Sequence, residues 1–229
     1  MKRLLTILLA LGLLGSTPVM AAESSALGAE GNDVVVTTDT AQAAPIPAWA
    51  YQELADGYAM GLFGDEIYTE HNKTVTQKQL DKLTEVVADK LAVLGVEQRS
   101  NAGSFVLDTT RGGVLNALYM EVLPYAFPGI DAGPVEFMRS MKVVRGDGTG
   151  LALDRPCTLM EAAAFADRLI LNLYDQQNAG SLGLLWKAEG NGNTLYLLGS
   201  IHTDRSNLYP FHKQLRDIIT GSELAAFEL

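Results

Sequence analysis

Thr194-Leu-Tyr-Leu-Leu-Gly-Ser-Ile-His202 is an apolar run that ends in a glycine and a histidine. Bounded by turn residues, such a run reads as a strand buried in a sheet. Its last residues then emerge at the strand's carboxyl end, where open α/β sheets place their ligand sites. Just upstream, Gly183-Leu-Leu-Trp-Lys-Ala188 is a second short strand, and the Asn-Gly step in Gly190-Asn-Gly-Asn193 predicts a hairpin between the two. Downstream, Leu208-Tyr-Pro210 leads into a helix through about Thr220, with Leu208, Phe211, Leu215, Ile218 and Ile219 on one face, Pro210 in the first turn and Gly221 as the stop. Leu224-Ala-Ala-Phe-Glu-Leu229 reads as another buried strand, so strand, helix and strand form a right-handed crossover with parallel strands.

That arrangement has a chemical consequence. His202 lies just past one strand end and Glu228 near the end of the next, so both side chains are expected to converge on one sheet edge. An imidazole and a carboxylate there suit two roles: sharing a divalent cation, or acting as a base with its orienting partner. Gly199 ahead of the histidine allows close backbone approach or an unusual dihedral. Two ligands alone do not close a metal site.

The chain has 229 residues and 48% hydrophobic content, enough to bury a core. Its formal net charge of -10 disfavours nucleic acid and anionic lipid as partners. Met1-Lys2-Arg3, the leucine-rich run Leu4 to Leu14 and Val19-Met20-Ala21-Ala22 form the basic, apolar and small-residue regions of a secretory signal peptide, with cleavage after Ala21 or Ala22. The apolar run is short for a membrane span and nothing later replaces it, so no integral span is expected after cleavage. The predicted location is exported: cell wall, periplasm or extracellular. Cys157, the single cysteine, excludes an internal disulfide and reads as a small buried apolar residue.

From Glu23 to Ala44 the composition is that of a flexible leader. Trp49 to Met60 then carries Trp49, Leu54 and Tyr58 at helical spacing and ends at Gly61, followed by an extended piece, Leu62-Phe-Gly-Asp65. Thr76 caps a second helix with the stripe Leu80, Leu83, Val87 and Leu91. A similar unit returns later: a helix over Val135 to Met141, an extended turn through Val143 to Asp147, and a helix capped by Thr158 with Ala162, Phe165, Leu169 and Leu173. Asp65 and Asp147, like Thr76 and Thr158, stand 82 positions apart (158 − 76 = 82), which argues for stacked modules. Between them lie a polar linker, Gln98 to Gly113, and an apolar helix from Val114 to about Tyr125.

Two stretches carry resemblances. Trp49-Ala with Gly61-Leu-Phe-Gly-Asp65, and Met141-Lys-Val-Val-Arg-Gly-Asp-Gly-Thr-Gly150 with Asp154-Arg-Pro-Cys-Thr-Leu-Met-Glu-Ala-Ala-Ala164, resemble S-layer homology modules. That resemblance implies attachment to cell-wall polysaccharide. Where the modules usually read Thr-Arg-Ala-Glu, this chain has Thr76-Gln-Lys-Gln79 and Thr158-Leu-Met-Glu161. Leu184-Leu-Trp-Lys187, Asn193 to His202, Leu208-Tyr-Pro210 and Ser222 to Glu228 together look like the opening of the TraB/GumN family, related to the Tiki proteins. What this resemblance implies is a metal-dependent, peptidase-like hydrolase acting on a peptide or protein substrate, with a divalent metal ion as cofactor. It assigns Gly199, His202 and Glu228 to the catalytic centre, and His202 and Glu228 to the metal.

Elsewhere the signals are bland. Ser200 lacks the Gly-x-Ser-x-Gly frame of a nucleophile elbow, His212 reads as a surface residue of the last helix, and His71 reads as a solvated loop residue. Gly146 to Gly150 lacks the ligand series of a calcium loop, and no phosphate loop or dinucleotide fingerprint occurs. The expected organisation is a signal peptide over 1–22, a leader over 23–44, helical modules over 45–97 and 133–178 with a linker and helix over 98–132, and an incomplete TraB/GumN-like domain over 183–229. The fold class is mixed: a mainly α N-terminal part, then the start of an α/β domain. Because the family has a second Gly-x-x-His motif far downstream, the 229 residues are expected to be the front part of a longer protein and inactive alone.

Overall fold

A computed structural model describes residues 45–100, 103–146, 150–199 and 206–226. About half of these are helical, and they carry a single two-stranded antiparallel sheet near the carboxyl end. The signal-peptide and leader predictions, Asp147, His202 and Glu228 lie outside the described residues.

Helix α1 (Tyr51–Met60) follows a 3-10 turn at Ala48–Ala50 and stops at Gly61, whose φ of 80° lets its N–H cap the Gly57 and Tyr58 carbonyls. The expected extended piece after it is a turn instead, with Leu62 and Phe63 buried, and a short helix α2 (Glu66–Glu70) follows that the sequence did not announce. Helix α3 (Gln77–Ala92) and helix α6 (Leu159–Gln176) begin alike. Thr76 accepts from the Gln79 amide and Thr158 from the Glu161 amide, and each N3 side chain reaches back to its cap. These are two complete capping boxes, and the periodic stripes behind them are buried as predicted.

Helix α4 (Arg111–Val122) starts inside the expected linker because the Thr110 hydroxyl accepts from Gly113. It is apolar around most of its circumference and sits in the middle, packed by α3, α6 and α5 (Pro134–Ser140). Helix α1 packs chiefly on α6, and α5 on α4, so each leading helix finds its main partner outside its own helix-loop-helix unit. One continuous apolar cluster runs from Ala50 to Tyr174 through α1 to α6.

Strands β1 (Leu184–Gly190) and β2 (Asn193–Gly199) pair in register from Leu184 opposite Gly199 to Gly190 opposite Asn193. The connecting Asn191-Gly192 has positive φ at both residues (51° and 79°), the geometry that matches strand twist in a two-residue loop. The expected burial is absent: Leu184, Trp186, Leu195 and Leu197 share one exposed face. Residues 224–226 adopt no regular structure and Leu224 is exposed, so no parallel strand joins this pair among the described residues. Helix α7 (Lys213–Gly221) starts later than expected, leaving Pro210 ahead of it.

Candidate functional site

Gly199 closes β2. A Cβ there would meet the Leu184 Cβ at 3.3 Å, so the glycine keeps the hairpin's open end narrow where the chain enters the Gly199-x-x-His202 segment. Among the described residues no three His, Cys, Asp or Glu side chains gather as metal ligands. His202 and Glu228 are chemically apt donors, an imidazole and a carboxylate, yet two donors fall short of the three or four of a protein metal site.

Past that segment, the chain is fastened to the helical body. Lys90 on α3, buried, donates to the carbonyls of Ser206 and Tyr209, the latter at 2.8 Å. Burial pushes the Lys90 ammonium down from its ordinary value, with Asp89 acting the other way. The Tyr174 hydroxyl fixes the Lys90 carbonyl at 2.8 Å. Ser181 and Phe211 form a parallel bridge, with Ser181 N to Pro210 O at 3.1 Å and His212 N to Ser181 O at 3.0 Å. His212 is not a surface residue: it is 8% exposed, its Nδ1 caps α7 by accepting from Gln214 N, and its Nε2 meets Asn178 Oδ1 at 3.2 Å. Arg216 on α7 pairs with Asp175 on α6. His71 is also buried, at 1% exposure, because its loop carbonyl accepts from Met160 at the start of α6.

The helical body holds a second place of interest. A cavity of about 340 Å³ is walled by Trp49 and Glu53 from the 3-10 turn and first turn of α1, by Arg111, by Arg145 and Arg155, and by Glu161, Phe165 and Arg168 on α6. Four guanidiniums face two carboxylates. Glu161 takes Arg111 at 2.5 Å and Arg155 at 2.5 and 2.8 Å, while Arg168 donates to Glu53 at 2.8 Å. Aromatic faces hold the same cations, with Arg111 5.0 Å over Phe165 and Arg168 5.6 Å over Trp49. Burial alone would raise the Glu161 carboxyl, but Arg155, the Thr158 amide and Arg111 outweigh it and keep it below the ordinary carboxylate range. Cys157 nearby is pushed up to about 12 by burial and by the Glu161 charge, so it stays a thiol and serves as core.

Sequence reading passed over this cavity because its walls come from five separate segments. One signal was present: at the 82-residue offset Arg145 and Arg168 have Phe63 and Val86, so these two cations have no basic counterpart in the first unit, whereas Arg155 has Lys73.

No curated protein and no solved structure matches the chain. Among the described residues, no helix is long and apolar enough to cross a membrane. The match that was found begins at the first residue of β1 and takes in the hairpin, the Lys90-fastened segment and α7: residues 184–229 are similar to the TraB/PrgY/gumN family.

Proposed function

We propose that this is an exported cell-envelope protein whose residues 184–229 contribute to a metal-dependent, peptidase-like hydrolase centre, with Gly199, His202 and Glu228 in it. The family match across those residues carries the reading. His202 would hold a divalent cation through an imidazole nitrogen and Glu228 through its carboxylate; the cation's chemistry would be to polarise a carbonyl or activate water. Gly199 would let the backbone turn into that segment. Export rests on the basic, apolar and small-residue order of residues 1–22.

Metal binding tests this first. Calorimetric titration of the 229-residue chain with Zn²⁺ or Co²⁺ should show one weak two-donor site, its remaining positions taken by solvent, that His202→Ala and Glu228→Ala each weaken by tenfold or more. No heat above that of the variants would sink the assignment. Peptide hydrolysis that survives both chelation and His202→Ala would sink the mechanism.

A second reading is favoured by the cavity: the helical part attaches the protein to an acidic cell-wall polysaccharide, in the manner of S-layer homology modules. Paired guanidiniums beside aromatic faces suit a carboxylate-bearing sugar. The chain should then be retained on purified wall polysaccharide and lose retention with Arg145→Ala or Trp49→Ala. Equal retention of all three would refute it.

A further inference from the structure

Asp167 sits on α6 against α1, 1% exposed, and its Oδ1 has no hydrogen-bond partner. Glu53 and Asp56 approach it from α1, and both are half-buried. The two cations within reach are already engaged: Arg168 donates to Glu53 and to the Val143 carbonyl, and Arg216 of α7 pairs with Asp175. Charges on the other helices that pack on α6 are taken up elsewhere: Lys90 by Ser206 and Tyr209, Arg111 by Glu161, Glu66 by the Gly64 amide, Glu70 by Lys73. Four carboxylates, Glu53, Asp56, Asp167 and Asp175, therefore share two guanidiniums. A charge on Asp167 has neither water nor a cation of its own to settle against.

The same contact governs the cavity. The 3-10 turn and first turn of α1 supply Trp49 and Glu53 to its wall, and the wall is completed across the contact by Arg168, the residue next to Asp167. We propose that Asp167 is a proton-operated latch on α1: while the carboxyl keeps its proton, α1 stays seated on α6 and the Trp49–Arg168 wall is closed; once the proton passes to solvent, α1 lifts and the wall opens.

Burial, then the charges of Asp56 and Glu53, push the Asp167 carboxyl well above the ordinary carboxylate range against Arg168 and Arg216. The sign follows. A group whose folded value is raised contributes stability that is complete below its unfolded value and is lost as pH rises through the folded one. The latch is therefore shut in acid and opens on the alkaline side, and its open fraction grows about tenfold per pH unit, the slope of one released proton.

The chain has two tryptophans, so Trp186→Phe makes Trp49 the only reporter. Trp49 is 49% exposed with the wall closed, so in that background its acrylamide quenching starts at an intermediate level and should rise further as pH is raised above the carboxylate range, while Asp167→Asn should hold it at the acid-side level throughout. Quenching that is flat with pH, or that rises equally in Asp167→Asn, overturns the proposal. Asp56→Asn removes one of the repelling charges, so an ionised Asp167 is better tolerated beneath a seated α1 and the rise in quenching with pH should be smaller; an unchanged profile counts against the latch even if Asp167→Asn does not fold. Hydrogen exchange separates local from global opening: amides of α1 should exchange faster with rising pH, after correction for intrinsic rates, while those of α4 do not. Parallel loss of protection in both helices overturns it.

Discussion

The Lys90 ammonium donates 2.8 Å to the Tyr209 carbonyl across 119 positions of sequence, and it takes the Ser206 carbonyl as well. One buried cation thus ties the segment after Gly199-x-x-His202 to the longest stripe of α3. Lys90→Met keeps the apolar stem and removes the donors. The Tyr209 carbonyl then lacks its partner, the Ser206 carbonyl keeps only the Tyr209 N–H at 3.3 Å, and the chain should lose about 2 kcal/mol. Urea unfolding followed by circular dichroism reads this directly. Wild-type stability would mean that the fastening is dispensable.

Gly180 is the other half of that fastening. Its φ is 109°, and a Cβ there would lie 2.7 Å from His212 N and 2.8 Å from His212 Cα, both backbone atoms of the Ser181–Phe211 bridge. Neither the dihedral nor the contact can relax without parting the bridge. Gly180→Ala should therefore cost about 3 kcal/mol. Gly190→Ala is the control, because nothing lies within 4 Å of its Cβ position, and it should stay within about 0.5 kcal/mol of wild type. A thermal melt that does not rank the two variants in that order contradicts the bridge's role.

Much of the helical part was legible because its signals are local. Thr76 and Thr158 each stand three residues before a Gln or Glu, and the stripes behind them repeat at helical spacing, so caps and buried faces follow from neighbouring residues alone. Asn191-Gly192 fixes the hairpin in the same way. What stayed hidden depends on partners far along the chain. His71 is covered because the Met160 N–H bonds its carbonyl, and His212 because its own N–H donates to the Ser181 carbonyl. Helix α2 is five residues long, too short for a period to show. Of the predicted site, Gly199 stands at the strand end where the sequence put it, and His202 and Glu228 lie outside the described residues. The arginine-walled cavity escaped because no short window contains it.

Glu161 gives the chain an acid limit. Its carboxyl closes the α6 capping box and takes two guanidiniums, Arg111 being only 6% exposed. Its folded value is depressed, so the stability it contributes is complete above the unfolded value and lost as pH falls through the folded one. Glu161→Gln should flatten the acid limb of a stability-against-pH curve. At neutral pH it should cost about 3 kcal/mol, since Arg111 is left buried without its counter-charge. An acid limb identical to wild type would show that another carboxylate sets it.

His71 is buried at 1% exposure with both ring nitrogens unpartnered, and backbone bonds join its loop to α6, from the Met160 N–H to the His71 carbonyl and from the Leu159 N–H to the Lys73 carbonyl. A buried polar atom without a partner costs about 1–3 kcal/mol relative to one that has it. Leucine fills a similar volume with no polar atoms, and the loop's backbone bonds do not involve the side chain. His71→Leu should therefore match or exceed wild-type stability, by up to about 1 kcal/mol, where most buried substitutions lose that much. Chemical denaturation of the two chains side by side decides it. A loss of more than about 1 kcal/mol would mean that the imidazole holds a bound water or another group, because only a satisfied ring has a hydrogen bond to lose.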